Sequence, residues 1–284
     1  MSLPFDPRVT PLRADLAAVS LKGRVEAPRY AEGRAMRVVE ASAPLRRAPR
    51  SDAPLETEAL FGETVTAYDE SEGWAWVQLA RDGYVGYLPG VALESLRAPP
   101  THRVAALRTH AYPGPSIKLP PVMALPLGAM VTIHGFEGDF AVADDGSCLW
   151  ARHLAEGSSR KPDFVAVAEL YLNAPYLWGG RTSDGIDCSG LVQSALTAAG
   201  IASPRDSDMM EAALGSPVAA DGALGRGDLV FWKGHVGVMR DAETLLHASG
   251  WHMAVTSEPL IQARSRIAAS GGGDITSVLR IGAP

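Results

Sequence analysis

Short hydrophobic runs that alternate with polar residues fill the first part of the chain, and they constrain its fold more than any other feature. Residues 65–68, 74–79 and 84–88 each alternate with a period of two, which is typical of half-buried strands. Glycine-containing turns separate the runs, as at residues 81–83. Short strands this close together predict a small β-barrel, which we place with an N-terminal extension in residues 1–97.

The next stretch, residues 98–157, repeats the same plan after a proline-rich joint. Its predicted strands are residues 103–107, 130–134 and 139–143. The sequence Phe61-Gly62-Glu63-Thr64-Val65 corresponds in position to Leu127-Gly128-Ala129-Met130-Val131, and each is followed by a glycine-containing turn. We therefore predict an internal duplication of two small barrels.

From residue 158 onwards the pattern changes to helical spacing. Asp163 is suited to cap a helix whose apolar residues recur up to Tyr171, and a second helix is predicted over residues 188–199. Predicted strands follow at residues 228–232, 235–239 and 244–248. Helices followed by antiparallel strands indicate an α+β domain over residues 158–284.

Charge and hydropathy exclude several classes of protein. The 284 residues include 26 basic and 32 acidic ones, which gives a formal net charge of −6 and argues against nucleic acid or an anionic membrane as the main partner. No window approaches the roughly 18 apolar residues that a spanning helix needs. The N-terminal residues lack the pattern of a signal peptide, so we expect a cytoplasmic protein.

The two cysteines are expected to differ in role. A disulfide framework or a zinc site built mainly from thiolates is excluded by their number. Cys148 precedes Leu149-Trp150 and is expected to pack in a barrel. Cys188 follows a glycine-rich loop and begins the predicted helix, where free N–H groups and the helix dipole are expected to lower the pKa of a thiol and to bind an oxyanion.

Two downstream histidines are placed to serve Cys188. His235 begins one predicted strand and His247 lies on the next, and a hairpin whose paired residue numbers add up to about 484 brings both imidazoles to one face. The predicted arrangement is Cys188 as nucleophile, His235 as general base and acid, and His247 as the group that orients His235. His252 is an alternative for the orienting role.

Other histidines and tryptophans are expected to have structural roles. The barrel histidines have no nucleophile nearby in sequence, and the two tryptophans near the predicted site suit core or cleft-wall positions. These residues are His102, His110, His134, His153, Trp178 and Trp232.

Four motifs in the last part of the chain resemble the NlpC/P60 cysteine peptidases. They occur in order as Pro-Tyr-Leu-Trp-Gly-Gly at 175–180, Asp-Cys-Ser-Gly-Leu-Val at 187–192, Gly-Asp-Leu-Val-Phe-Trp at 227–232 and Gly-His-Val-Gly at 234–237. The two barrels are similar to bacterial SH3-type domains. Together the chain resembles family members that recycle murein peptides.

The resemblance implies a papain-like α+β domain that cleaves the bond between γ-D-glutamate and an L- or meso-diamino acid. By resemblance, Cys188, His235 and His247 are the catalytic residues, and Tyr176 supports the oxyanion site. The expected substrate is the murein peptide L-Ala-γ-D-Glu-diamino acid. No metal or organic cofactor is implied, and no nucleic acid or membrane partner is expected.

Substrate-binding residues also follow from the resemblance. Asp187, Ser189 and Ser207 resemble the subsite for the residue N-terminal to the cut. Glu63 and Tyr84 of the first barrel resemble the acidic residue and tyrosine that bind a free α-amine in recycling members. A buried carboxylate facing an ammonium group would reject peptides extended at that end.

Two other functions remain open at this point. An acyltransferase on the same framework would resolve the thioester with a lipid or amine and would need a wide apolar cleft, whereas polar residues flank Cys188. A non-catalytic wall-binding protein would have no need of the Cys–His–His set. The expected absence of a signal peptide favours turnover peptides inside the cell over intact wall as the substrate.

Overall fold

Strand pairing and packing divide the chain into two units, Met1–Gly157 and Ser158–Pro284. The structure, a computed structural model, describes residues 5–219 and 222–282. The strands of the first unit are β1 (Ala17–Ala18), β2 (Tyr30–Ala31), β3 (Arg34–Val38), β4 (Ser42–Arg46), β5 (Leu55–Leu60), β6 (Thr64–Ser71), β7 (Trp74–Leu79), β8 (Val85–Pro89), β9 (Leu93–Ser95), β10 (His102–Val104), β11 (Arg108–Tyr112), β12 (Met123–Pro126), β13 (Met130–Val131), β14 (Ile133–Glu137), β15 (Phe140–Ala143), β16 (Cys148–Trp150) and β17 (Leu154–Glu156). Single turns of 3₁₀ helix lie at Val19–Leu21, Gly90–Ala92 and Ala151–His153.

The first barrel is a seven-stranded antiparallel sheet in the order β5-β4-β8-β7-β6-β3-β9. Burial alternates along β8, where Gly86 and Leu88 lie inward, and β7 buries Ala75, Val77 and Leu79 while Gln78 is only half-buried. The core includes Val38, Leu45, Val65, Val77 and Leu88. The strands predicted in this segment are confirmed.

The second barrel has the same connectivity in two sheets, β12-β11-β16-β15-β14 and β13-β10-β17. Two of its predicted strands are wrong in extent. Strand β10 ends at Val104, and the run predicted at 130–134 divides at Thr132, whose hydroxyl donates to the carbonyls of Ala98 and Pro99. The chain bends there from one sheet to the other, and a register shift between Ile133 and Gly135 marks the bend.

Equivalent hydrogen bonds 66 positions apart confirm the predicted duplication. The Gly62 amide donates to the Val38 carbonyl at 2.9 Å, and the Gly128 amide donates to the Val104 carbonyl at 2.9 Å. Both glycines have positive φ angles, +78° and +90°. The two barrels thus share a backbone frame, including a register shift at residue 67 in the first and residue 133 in the second.

The second unit combines four α-helices with short and long strands among its described residues. Its elements are α1 (Phe164–Glu169), β18 (Arg181–Thr182), β19 (Gly185–Ile186), α2 (Cys188–Ala198), α3 (Ser207–Ala213), β20 (Ser216–Pro217), β21 (Leu229–Trp232), β22 (His235–Met239), β23 (Thr244–Ser249), β24 (Ala254–Pro259), α4 (Leu260–Ala269) and β25 (Ser277–Arg280). The main sheet is antiparallel in the order β20-β25-β21-β22-β23-β24. Helix α2 packs against β22 and β23, so the start of α2 lies next to the hairpin that carries the two histidines.

The predicted α+β character of this unit is confirmed, with differences in detail. The Asp163 side chain accepts from the Ala166 amide and caps α1, but α1 ends at Glu169 because the chain turns ahead of Asn173, which has a φ of +70°. Strand β24 and helices α3 and α4 were not predicted. No helix in the described ranges is both long and apolar enough to cross a bilayer.

Replacement of Gly62 by alanine tests how strongly the first barrel depends on a close backbone approach. A Cβ there would overlap the carbonyl oxygen of Met130, and the positive φ adds strain. Gly73 has a φ of +81° with nothing within 4 Å, so Gly73→Ala should cost only the roughly 1–2 kcal/mol of left-handed strain. We expect Gly62→Ala to lower the free energy of unfolding by clearly more in chemical denaturation. Equal losses would contradict the close approach.

Candidate active site

Cys188 is the first residue of α2 and is nearly buried, with 6% of its surface exposed. Asp187 precedes it in an extended conformation and caps the helix, its Oδ1 accepting from the Gly190 amide at 2.6 Å. A cap of this kind fixes the direction in which the helix begins. The cysteine is therefore held at the positive end of the helix.

A buried ion pair holds this helix start against the preceding loop. Arg205 is 1% exposed and donates to both oxygens of Asp187, at 3.0 and 2.8 Å, and to the Ser189 hydroxyl at 2.8 Å. The Gly179 amide donates to Asp187 Oδ2 at 2.8 Å. Gly190 has no room for a side chain, because a Cβ there would overlap the Gly180 carbonyl oxygen.

These contacts bear on the predicted subsite for the residue N-terminal to the cut. Asp187 and Ser189 are buried and bonded to Arg205, and Ser207 begins α3 two residues after Arg205. The structure thus joins Asp187 and Ser189 in one network through Arg205, and the contact of all three predicted residues with substrate stays a prediction. Arg205 was missed as a site residue, although it lies in the same Arg-Asp-Ser run as Ser207.

The two predicted histidines form a direct hydrogen bond. Strands β22 and β23 pair Val238 with Leu246 and Met239 with Leu245, which is the predicted register. His235 Nε2 lies 2.7 Å from His247 Nδ1. Gly237 lies opposite His247 and leaves it space, since a Cβ at Gly237 would lie 3.1 Å from the His247 Cβ.

The far side of His247 contacts an acidic residue that the sequence did not reveal. His247 Nε2 lies 2.8 Å from Glu258 Oε1, and Glu258 also forms an ion pair with Arg266 of α4. His252, the alternative orienting residue, instead has its Nδ1 3.1 Å from the Ser249 hydroxyl. Of the two histidines considered for the orienting role, His247 is the one bonded to His235.

Burial governs the protonation of the cysteine and its neighbouring histidine. It raises the pKa of the Cys188 thiol to about 12, with the Asp187 carboxylate adding to the rise. The backbone N–H groups of Val236 and Ser189 and the Arg205 cation oppose this shift without outweighing it. The expectation that the helix start lowers this pKa is therefore wrong, because desolvation of the thiolate dominates.

The pKa of His235 is also shifted in the direction that keeps the residue neutral. Burial, followed by the charges of His247 and Arg266, lowers the pKa of His235 to about 3. A thiol that is hard to ionise beside an imidazole that is hard to protonate gives a neutral pair in the resting protein. The bond to the Val236 amide places the Cys188 sulfur beside the first residues of β22, where His235 lies.

Aromatic residues surround the pair. Burial, followed by the charges of Cys188 and Asp187, raises the pKa of Tyr176, so its hydroxyl keeps its proton and can donate a hydrogen bond. The buried Trp232 ring lies 5.6 Å from the His235 ring, whereas Trp178 is largely exposed. Trp232 thus forms a wall beside His235.

Glu63 and Tyr84 lie in the first unit and are both buried. Glu63 Oε2 accepts from the Leu60 amide at 3.0 Å, and Oε1 lies 3.4 Å from Arg81 Nε. The Tyr84 ring belongs to the barrel core, and its hydroxyl donates to Glu56 at 3.4 Å. Their role in amine recognition stays a prediction.

One group among the described residues could offer metal ligands. His247, His252 and Glu258 bring one donor atom each to within 4.8 Å of one another. Each already has a partner: His247 bonds to Glu258, Glu258 pairs with Arg266, and His252 bonds to Ser249. The geometry suits a hydrogen-bonded chain that ends at His235, and a buried thiol beside such a chain can carry out acyl transfer.

Comparison with known proteins identifies the domains. Residues 173–266 match the NlpC/P60 family. The second unit contains an NlpC/P60 domain. Residues 45–93, in the first barrel, match the bacterial dipeptidyl-peptidase Sh3 domain. The N-terminal SH3-type domain and NlpC/P60 domain expected from the motifs are thus confirmed, and the chain carries a peptidase-family domain.

Relatives and a solved structure agree with this assignment. A dipeptidyl-peptidase 6 of Lysinibacillus sphaericus is 34% identical over 35% of this chain and 36% of its own length. A gamma-D-glutamyl-L-lysine dipeptidyl-peptidase of Bacillus subtilis (strain 168) is 29% identical over 70% of this chain and 73% of its own length. The crystal structure of an NlpC/P60 family protein from Bacillus cereus ATCC 10987 has a TM-score of 0.73 at 20% identity, covering 88% of this chain and all of that one, and shares the fold.

Removal of Arg205 tests whether the NlpC/P60 domain depends on the buried ion pair. Arg205→Ala leaves the Asp187 carboxylate buried without its cation, which should lower the free energy of unfolding by about 3–5 kcal/mol. The control is Arg264→Ala, because the pair of Arg264 with Asp274 is half exposed and should contribute little to stability. Chemical denaturation measures both losses, and similar small values would contradict the structural role of Arg205.

Thiol alkylation tests the neutral resting pair. A raised pKa leaves little Cys188 thiolate near neutral pH, so alkylation by iodoacetamide should rise about tenfold per pH unit between about pH 7 and 9 without levelling off. Peptide mapping by mass spectrometry would follow Cys188 in a Cys148→Ala background. Fast alkylation that does not change between about pH 5 and 7 would instead indicate a preformed thiolate–imidazolium pair.

Proposed function

We propose that the protein is a cysteine peptidase that hydrolyses the γ-D-glutamyl–diamino acid bond of murein peptides. The observation that carries the proposal is the position of Cys188 at the start of α2, beside a hairpin on which His235 is hydrogen-bonded to His247. The name of the Bacillus subtilis relative, a gamma-D-glutamyl-L-lysine dipeptidyl-peptidase, supports this choice of bond over other peptide bonds.

The first half of the reaction forms a thioester. Cys188 Sγ attacks the γ-carbonyl carbon of D-glutamate while its proton passes to His235. The carbonyl oxygen becomes an oxyanion, which can accept hydrogen bonds from the N–H groups at the start of α2 and from the Tyr176 hydroxyl. When the tetrahedral intermediate collapses, His235 gives its proton to the departing amine of the diamino acid.

The second half releases the dipeptide. A water molecule gives a proton to His235 and attacks the thioester carbon, and the sulfur leaves with the proton that His235 returns. The products are L-Ala-γ-D-Glu and the diamino acid or the peptide that begins with it. Because the resting pair is neutral, the proton moves only as the sulfur attacks, and no thiolate is stored in the free protein.

Substrate selection is the part of the proposal that depends most on resemblance. Asp187, Ser189 and Ser207 would line the γ-D-glutamyl subsite, and Glu63 and Tyr84 would select a free N-terminal amine. The role in murein recycling and the cytoplasmic location are proposed on the same basis.

A murein tripeptide assay tests the function. Purified protein should convert L-Ala-γ-D-Glu-L-Lys to L-Ala-γ-D-Glu and lysine, measured by liquid chromatography with mass spectrometry. Cys188→Ala should lower kcat by about a thousandfold or more, because no other group can form the thioester. Cys148→Ala is the matched control and should retain activity, since Cys148 is buried on a strand of the second barrel.

The same assay separates the alternatives. Equal turnover by Cys188→Ala would contradict the mechanism, and transfer of the dipeptide to an added amine with no hydrolysis would indicate an acyltransferase. Binding of the tripeptide without turnover would indicate a binding protein. Acetylation of the tripeptide amine should lower kcat/KM, and unchanged kinetics would remove Glu63 and Tyr84 from the site.

A further inference from the structure

Glu258 lies outside the four motifs that carry the family resemblance. It lies on β24, where it pairs with Leu245 of β23, and its side chain is 12% exposed. Its Oε1 contacts two groups, His247 Nε2 and the Arg266 guanidinium of the next helix. The chain of contacts therefore runs from Arg266 through Glu258 and His247 to His235.

The charge of Glu258 decides where the protons of both histidines lie. Burial opposes ionisation of Glu258, but the hydrogen bond that His247 donates and the positive charge of Arg266 outweigh it and hold the pKa of Glu258 below its usual range. An ionised carboxylate only accepts hydrogen bonds, so His247 must carry a proton on Nε2. Burial lowers the pKa of His247, which leaves a neutral ring with an unprotonated Nδ1.

The hydrogen bond between the two rings also fixes the position of the proton on His235. Since His247 Nδ1 is an acceptor, the bond of 2.7 Å between the two rings requires a proton on His235 Nε2. A neutral His235 then has its lone pair on Nδ1. That is the only ring nitrogen left that can take the proton of a thiol.

We propose that Glu258, held by Arg266, is a positioning residue that sets the tautomers of His247 and His235, so that Nδ1 of His235 is the basic nitrogen. The effect of Glu258 on catalysis rests on the proposed function, whereas its effect on the two tautomers is independent of that function. Without the carboxylate, His247 can carry its proton on Nδ1 and donate to His235 Nε2. His235 would then hold its proton on Nδ1 and could not accept one from Cys188.

Three replacements of Glu258 distinguish the roles of its hydrogen-bond-accepting oxygen, its negative charge and its side-chain volume. Glu258→Met fills similar space but offers His247 no oxygen. Glu258→Gln keeps an oxygen that can accept from both His247 and Arg266. Glu258→Asp keeps the charge near Arg266 but withdraws the carboxylate from His247 by one methylene, and it serves as the second variant if the methionine variant does not fold.

Nuclear magnetic resonance of ¹⁵N-histidine-labelled, substrate-free protein reads the tautomers directly. We expect both His235 and His247 to carry their proton on Nε2 in the unaltered chain and in Glu258→Gln. In Glu258→Met and Glu258→Asp the Nδ1–H form should appear in both rings. Unchanged tautomers in a folded Glu258→Met protein would overturn the proposal whether or not the protein hydrolyses any peptide.

Kinetics on the murein tripeptide then test the consequence. Glu258→Met should lower kcat about 10- to 100-fold with KM little changed, as other partners of reactive histidines do, and Glu258→Gln should recover much of the loss. A rise in KM alone, with kcat unchanged, would contradict a positioning role. If the unaltered protein has no hydrolase activity while the tautomers shift as expected, the proposed function fails and the role of Glu258 in setting the tautomers stands.

Discussion

The buried pair of Asp187 and Arg205 is the interaction on which the rest of the active-site region depends. The Asp187 carboxylate caps α2 and accepts hydrogen bonds from the Gly179 amide and from both terminal nitrogens of Arg205. Removing two charges from water costs several kcal/mol per ion, which only good geometry and further hydrogen bonds can offset. Here each oxygen of Asp187 has more than one donor, so the pair fixes the start of α2 and the preceding loop together.

That pair also influences the reactivity of Cys188. The Asp187 carboxylate raises the pKa of the thiol and the Arg205 guanidinium lowers it, so the two charges partly cancel at the sulfur and burial remains the main cause. Neutral His235 follows from burial in the same way. The site therefore holds a protonated cysteine and a neutral imidazole in the substrate-free protein, and that imidazole is already hydrogen-bonded to His247.

The sequence predicted local features well and long-range partners poorly. The cap at Asp163, the start of α2 at Cys188 and the pairing of β22 with β23 follow from periodicity and turn residues, and all are found. Arg205 and Glu258 were missed because nothing in their neighbouring residues indicates which distant group a buried charge will meet. The pKa of Cys188 was predicted in the wrong direction, because burial depends on how α2 packs against the sheet.

In the second barrel the sequence predicts the overall strand order but gives the wrong extent for single strands. The alternation of apolar and polar residues predicts a single strand over residues 130–134. The sharp bend at Thr132 is stabilised by carbonyls from the joint at Ala98 and Pro99, which are 34 and 33 residues away. Such a bend depends on a contact that is distant in sequence, so the period-two pattern does not contain it.

The duplicated frame helps to interpret Glu63. Its Oε2 accepts from the Leu60 amide, and the position equivalent to Leu60 in the second barrel is Pro126, which has no N–H to satisfy. The second barrel accordingly makes the same turn with Ala129 in place of Glu63. One oxygen of Glu63 is therefore explained by the fold of the first barrel. The other oxygen, Oε1, lies 3.4 Å from Arg81 Nε, so the buried carboxylate also faces a cation of its own barrel.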